Sequence, residues 1–145
     1  MIDLSSTPSS QAIEQMYFAY RAFTEQPDRM LDKRGLSRVH HRILYFVGAR
    51  PHTTVNDLLA TLKVSKQALN APLRQLIEMG LIANNTAAHD GRVRQLVLTK
   101  AGAQLEAQLT GTQAKQLQAA FDKAGPKAQA GWLAVMQHLA NQATA

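Results

Sequence analysis

Residues 54–80 read TVNDLLATLKVSKQALNAPLRQLIEMG, and this stretch decides the fold. Its apolar residues recur three and four positions apart in two short stripes, which predicts two amphipathic helices. Only Lys63 and Val64 separate the stripes, and Ser65 then supplies a good N-cap for the second helix. Two short helices joined by so brief a turn predict a helix-turn-helix.

The residues after Gly80 predict a β-hairpin. Residues 81–83 favour a strand, residues 84–91 are rich in turn-forming side chains, and residues 95–98 favour the returning strand. A helix-turn-helix followed directly by a two-stranded wing is a winged helix. The sequence therefore predicts a wing with a long tip, which carries Asp90, Arg92 and Arg94.

Helices are predicted on both sides of this module. Apolar residues at helical spacing in residues 11–24 predict a helix that Pro27 ends, and Ser37 is the predicted cap of the next helix. Thr99 can cap a long helical region that Gly125-Pro126 interrupts. The predicted fold is mainly α with a small β-hairpin wing, a winged helix-turn-helix flanked by N- and C-terminal dimerisation helices.

The domain organisation follows from these elements. We expect a flexible N-terminal arm over residues 1–9 and a single domain over residues 10–145. Within that domain we place the winged helix at about residues 36–100. The dimerisation helices are expected at about residues 10–26 and 100–145.

Composition excludes several classes of protein. The chain has 145 residues, 46% of them hydrophobic, which is enough for a folded core. Its longest apolar run, residues 43–49, is far shorter than the roughly 20 residues of a membrane span. The absence of cysteine excludes disulfides, thiolate metal sites and cysteine nucleophiles. We therefore expect a cytoplasmic protein that does not enter a membrane.

The positive charge is concentrated in the middle of the chain. Residues 29–100 contain twelve Lys and Arg against four Asp and Glu, whereas the whole chain has a net charge of +6. Such a distribution favours a polyanionic partner, although a basic surface that only keeps the protein in solution is the alternative.

The second helix of the helix-turn-helix presents polar side chains away from its apolar stripe. Amides of Gln and Asn can pair with adenine, and Arg can pair with guanine or phosphate. A phosphate can also approach a cation in the first turn together with the free N–H groups of the helix end. An ordinary solvated helix face is the alternative. The predicted DNA-binding residues are Ser65, Lys66, Gln67, Asn70 and Arg74.

The wing supplies the second predicted DNA contact. We assign Arg92 to the minor groove and Arg94 to a phosphate, since an arginine suits a narrow minor groove. Asp90 would orient Arg92 through a charge-assisted hydrogen bond rather than contact DNA, because phosphate repels a free carboxylate. A solvated loop is again the alternative.

Four short motifs stand out within about residues 36–109, namely Val64–Gln67, Leu73–Ile82, Asp90–Arg92 and Leu98–Gly102. They resemble the MarR family of bacterial winged-helix regulators. The resemblance implies a homodimer whose N- and C-terminal helices form the interface. It also implies that double-stranded DNA is the partner, and that a small, often aromatic anion releases it.

Two sets of residues follow for the dimer and the ligand. Leaving large apolar stripes in water at both ends of the chain is unfavourable, so pairing across a twofold axis is expected. The predicted interface residues are Ile13, Met16, Trp132, Met136 and Leu139. A cleft for an aromatic or phenolic effector would be lined by Tyr17, Tyr20, Phe23, His40 and His41, with plain core packing as the alternative.

One residue departs from the family pattern. Pro72 falls inside the second helix of the helix-turn-helix, which is the predicted recognition helix. There it cannot donate to the carbonyl of Ala68, and it disfavours helical geometry at Ala71. Either the helix bends there or its first turn is offset, which affects how Lys66 and Asn70 approach the bases.

The sequence does not favour an enzyme. It contains no glycine-rich phosphate loop and no HExxH motif, and neighbouring His40 and His41 point about 100° apart on a helix, so they cannot easily share a metal. We expect no cofactor and no metal. The predicted function is a dimeric, sequence-specific DNA-binding repressor relieved by a small aromatic ligand. The alternative is a winged-helix module that binds protein and has lost specific DNA binding.

Overall fold

The computed structural model describes residues 7–87 and 90–142. In this part of the chain six helices surround a small antiparallel sheet, and their order agrees with the predicted winged helix and its flanking helices. The elements are α1 (Pro8–Asp32), α2 (Arg38–Ala49), β1 (Thr53–Thr54), α3 (Val55–Leu62), α4 (Lys66–Glu78), β2 (Ile82–Ala87), β3 (Asp90–Leu98), α5 (Lys100–Ala124) and α6 (Pro126–Asn141).

The sheet has the strand order β1-β3-β2, with both pairs antiparallel. The sequence predicted only the two strands of the wing. Strand β1 adds a third, whose two residues are too few to give a recognisable strand pattern, and its Thr53 pairs with Leu96 of β3. The predicted turn over residues 84–91 is wrong for most of its length, because Asn84 lies opposite Leu96 and Asn85 opposite Gln95. Pairing with β3 outweighs the low strand propensity of asparagine.

Helix α1 is longer than predicted at both ends. It begins at Pro8, inside the segment expected to be an arm, and the hydroxyl oxygen of Thr7 accepts the Ser10 N–H at 3.0 Å as its cap. It also continues through Pro27 to Asp32, so the prediction that Pro27 ends it is wrong.

A side chain of α5 compensates for the proline. Pro27 has no N–H to donate to the carbonyl of Phe23 one turn earlier. Instead Nε2 of Gln113 donates to that carbonyl at 3.3 Å, and Nε2 of Gln116 donates to the carbonyl of Ala22 at 3.0 Å. The first bond replaces the one that the proline removes, and both bonds join α1 to α5.

The predicted N-caps of α4 and α5 and the predicted break between α5 and α6 are confirmed. The hydroxyl of Ser65 accepts the Ala68 N–H at 3.0 Å, and the hydroxyl of Thr99 accepts the Gly102 N–H at 3.0 Å. Gly125, with φ of +101°, ends α5, and α6 begins at Pro126. These caps fix where α4 starts and how α5 leaves the wing.

The core lies between α2, the helix-turn-helix, the wing and the first half of α5. Its most buried side chains are Leu31, Ile43, Leu44, Val47, Leu58, Leu69, Leu76, Ile82, Leu96 and Leu109. By contrast, residues 11–22 of α1 are exposed, and no described residue of α6 is buried. The two terminal helices therefore extend beyond the core of the single chain. In the described part of the chain, no helix is both long enough and apolar enough to span a membrane.

Candidate nucleic-acid interface

Helix α4 divides cleanly into a buried and an exposed side. Its three buried residues are Leu69, Leu73 and Leu76, which pack into the core. All five predicted DNA-contacting residues of this helix and its cap are exposed, namely Ser65, Lys66, Gln67, Asn70 and Arg74. The helix thus presents two amides and two cations to solvent on a rigid support.

The N-terminus of α4 is open to an anion. The side chain and the carbonyl of Ser65 take the N–H groups of Ala68 and Leu69. The N–H groups of Lys66 and Gln67 precede the first intrahelical bond, so they point out of the helix end. Together with the Lys66 ammonium, they offer a phosphate the donors and the favourable dipole of a helix N-terminus.

Pro72 does not end the recognition helix. Helix α4 runs without a break from Lys66 to Glu78, with Pro72 inside it. The proline still donates nothing to the carbonyl of Ala68. Asn70 and Arg74, on either side of Pro72, therefore belong to one continuous helix.

The wing places one of its two predicted arginines on an exposed strand position. Arg94 of β3 lies opposite Thr86 of β2, and its side chain is exposed. It is therefore part of the paired ladder rather than of a long loop. The side chains of Arg92 and Asp90 are not among those that the structure describes, so the roles assigned to them remain predictions.

A cleft of about 380 Å³ lies between α1, α2 and α5. Three of the five predicted ligand-binding residues line it: Tyr20, Phe23 and His41. The other two predictions are not supported by the geometry. Tyr17 lies on the exposed first half of α1, 59% exposed and outside the cleft lining, whereas His40 is 7% exposed and bonded to α4.

The rim of the cleft is cationic and aromatic. Arg38 pairs with Asp28, with Nη2 2.8 Å from Oδ2, and this hydrogen bond raises the pKa of Arg38. Arg42 forms no ion pair within the described residues. Guanidinium nitrogens of both arginines lie 3.4 Å from the Tyr20 hydroxyl. Arg42 therefore leaves a positive charge available beside a phenol ring.

His41 connects the cleft to α5 in its neutral form. Its Nε2 lies 3.1 Å from Oγ1 of Thr110, which in turn donates to Oε1 of Glu106 at 2.9 Å. Because Thr110 uses its proton on Glu106, it accepts from His41. Burial lowers the pKa of His41, which favours the uncharged ring. The positive charge of the cleft thus comes from arginine.

Sequence reasoning missed several residues of this cleft. Arg38 and Arg42 are four residues apart, a spacing that places both on one face of α2 and could have signalled the pair. Tyr45 and Gln113 also line the cleft, but Gln113 belongs to a distant helix and gave no local signal. Among the described side chains, no three His, Asp or Glu groups lie close enough to hold a metal ion.

Both terminal helices expose large apolar side chains. Trp132 packs edge-on against Phe121 of α5, with ring centroids 5.3 Å apart, yet it remains 40% exposed. All the predicted interface residues lie on these two helices, and only Met136 is half-buried. Further exposed apolar residues on them are Phe18, Leu133 and Val135.

Comparison with known proteins places the chain in a family. The model of the MarR family matches residues 34–93. The HTH-type transcriptional regulator PetP of Rhodobacter capsulatus is 41% identical over 143 residues, which cover 99% of this chain and 86% of PetP.

Solved structures share the fold. A DNA complex of MepR from Staphylococcus aureus superposes with a TM-score of 0.72 at 18% identity, covering 94% of this chain and 98% of MepR. A MarR protein of S. aureus in complex with salicylate and kanamycin gives a TM-score of 0.71 at 21% identity, covering 90% and 89% of the two chains. With the family match and the 41% identity to PetP, the chain belongs to the MarR family of winged-helix transcriptional regulators and is not an enzyme.

Proposed function

We propose that this regulator binds a specific site on double-stranded DNA as a homodimer and acts as a repressor in the cytoplasm. The observation that carries the proposal is the exposed side of α4, where Gln67 and Asn70 stand beside Lys66 and an open helix N-terminus. Amides of this kind read adenine in the major groove, while the cation and the N–H groups hold a phosphate. The solved MepR–DNA complex gives a precedent within the fold.

The protein-binding alternative is less well supported. Pro72 is the residue that favours it, because a proline that distorted the recognition helix would disturb the approach to DNA bases. Helix α4 is continuous across that residue, and the exposed side of the helix is polar and basic. A surface that docks a protein usually has an apolar or aromatic centre.

Dimerisation accounts for the exposed terminal helices. Ile13 is 67% exposed and Val135 64% exposed in the single chain, and burying such a side chain contributes about 1.5–3 kcal/mol. A second copy is the partner that presents the same apolar faces. Twofold symmetry would place two α4 helices roughly 34 Å apart, one turn of DNA.

Replacing Asn70 by alanine tests the reading of bases. We expect Asn70→Ala to weaken binding to the specific site by about 1–3 kcal/mol while affinity for random DNA stays nearly unchanged. Lys66→Ala is the contrasting variant, since loss of a phosphate contact should weaken both DNAs alike and lower the salt slope by about one per protomer. Fluorescence anisotropy titrations measure both. An equal loss on both DNAs for Asn70→Ala would show that this amide does not read bases.

We further propose that the cleft binds a small aromatic anion that releases the DNA. Tyr20 and Phe23 supply aromatic walls, and Arg42 supplies a positive charge next to the Tyr20 hydroxyl. A phenolic carboxylate suits this combination of ring and cation. The MarR protein of S. aureus that shares this fold was solved with salicylate.

Salicylate is the probe for this cleft. At ten times its dissociation constant, a ligand that binds only the folded state stabilises it by about 1.4 kcal/mol, which raises the Tm by a few degrees. We expect that rise in the wild type and a smaller one in Arg42→Leu. Arg34→Leu, which removes a charge outside the cleft, should respond like the wild type. If millimolar salicylate changes neither the Tm nor the DNA affinity of the wild type, phenolic acids are not the effectors.

A further inference from the structure

His40 occupies an unusual position for a buried histidine at the start of a helix. It is the third residue of α2 and only 7% exposed. Its Nδ1 accepts the backbone N–H of Ser37 at 3.0 Å, and the Ser37 hydroxyl oxygen lies 3.1 Å from the same nitrogen. Because Nδ1 accepts, the proton of the neutral ring resides on Nε2. The ring therefore has a fixed orientation and one donor left.

That donor is directed at the recognition helix. Nε2 of His40 lies 2.9 Å from Oε1 of Gln75, which belongs to α4. The amide Nε2 of Gln75 in turn lies 3.5 Å from the carbonyl of Gly35, which has φ of +71° in the turn after α1. One glutamine of α4 thus bonds to the start of α2 and reaches towards the end of α1.

These polar bonds add a directional constraint to the apolar packing of α4. Leu69, Leu73 and Leu76 anchor the helix in the core through contacts that individually depend only weakly on angle. A hydrogen bond depends on both distance and angle. The bond to Gln75 therefore opposes rotation of α4 about its axis, a motion that would redirect Arg74, its neighbour in the helix.

We propose that His40 and Gln75 are a positioning pair, which sets the orientation of α4 relative to α2 and thereby the DNA affinity. Their polar atoms are engaged within the protein, so neither residue needs to touch DNA to act. The effect on affinity rests on the proposed DNA-binding function.

A double-mutant cycle tests the pair. Gln75→Leu and His40→Phe replace the bond by apolar side chains of similar shape, and Gln75→Glu keeps an acceptor for Nε2 of His40. His40→Phe also removes the acceptor of the Ser37 N–H, an effect that the double variant shares and that the cycle therefore separates from the pair. We expect each of the first two to lower affinity for a DNA site selected from a random library by about three- to thirty-fold. The double variant should lose no more than the weaker-binding single variant, and Gln75→Glu should stay within about three-fold of the wild type.

Hydrogen exchange of the free protein supplies a readout that does not involve DNA. In Gln75→Leu, the hydrogen-bonded amides of α4 after Gln67 should exchange about ten-fold faster, while those of residues 100–124 stay unchanged and Gln75→Glu resembles the wild type. Unchanged exchange in α4, or losses of affinity that multiply in the double variant, would overturn the pair. If the wild type binds no selected DNA but exchange in Gln75→Leu rises as expected, the proposed function fails, whereas the role of the pair in orienting α4 stands.

Discussion

Gly102→Ala is expected to destabilise the protein by about 3–5 kcal/mol, a loss well above that of a typical helix substitution. A Cβ at this position would lie 1.9 Å from the carbonyl oxygen of Leu81 and 2.8 Å from its carbonyl carbon. Both atoms belong to the backbone, which cannot move aside as a flexible side chain does. The start of α5 would have to separate from the wing.

Two hydrogen bonds meet at this contact and make relaxation costly. The carbonyl of Leu81 accepts the Thr99 N–H at 3.1 Å, and the Thr99 hydroxyl accepts the Gly102 N–H. Any shift that relieves the clash therefore weakens the cap of α5 and the junction between Leu81 and Thr99. The destabilisation should include part of the cost of those bonds.

Gly111→Ala is the matched control, because it makes the same change in the same helix. Nothing lies within 4 Å of a Cβ at Gly111, so helix propensity alone should act and stabilise the protein by up to about 1 kcal/mol. Urea unfolding followed by circular dichroism measures both variants. Similar stabilities for the two would contradict the close approach of α5 to Leu81.

Val135→Glu is expected to convert the protein to monomers at micromolar concentration and to lower operator affinity by about a hundred-fold or more. Val135 is 64% exposed in the single chain, so the carboxylate should leave the fold of the monomer intact. In a dimer the same carboxylate would be buried without a partner, at a cost of several kcal/mol. Two separate monomers also lose the effective concentration that links their binding to two half-sites.

Gln137→Glu adds the same charge to α6 at a position about 160° around the helix from Val135. It should remain dimeric and bind DNA like the wild type. Light scattering gives the mass of each variant, and an anisotropy titration gives its affinity. A dimeric Val135→Glu with unchanged affinity would show that α6 does not form the interface.

Local chemistry explains which parts of the fold could be predicted. The caps Ser65 and Thr99, the helical stripes and the break at Gly125 all depend on neighbours a few residues away. The course of α1 does not, because the group that compensates for Pro27 is Gln113, which lies far along the chain. A prediction based on Pro27 and its sequence neighbours therefore ended α1 too early.

The candidate site divides in the same way. The exposed side of α4 followed from the spacing of its leucines, so Lys66, Gln67 and Asn70 were placed correctly on the surface. The roles of adjacent histidines could not be separated by sequence, since His40 and His41 differ only in which neighbouring helix each one meets. His40 meets α4, and His41 meets α5 across the cleft.

Sequence-specific DNA binding by the wild-type protein is the central claim, and an anisotropy titration tests it most directly. The labelled probe is the DNA upstream of the protein's own gene, compared with a random duplex of equal length at two salt concentrations. We expect a Kd of about 10⁻⁸ M or lower for the upstream DNA, at least about a thousand-fold tighter than for random DNA, with both affinities falling as salt rises. Equal affinity for the two duplexes would contradict the claim and favour the protein-binding alternative.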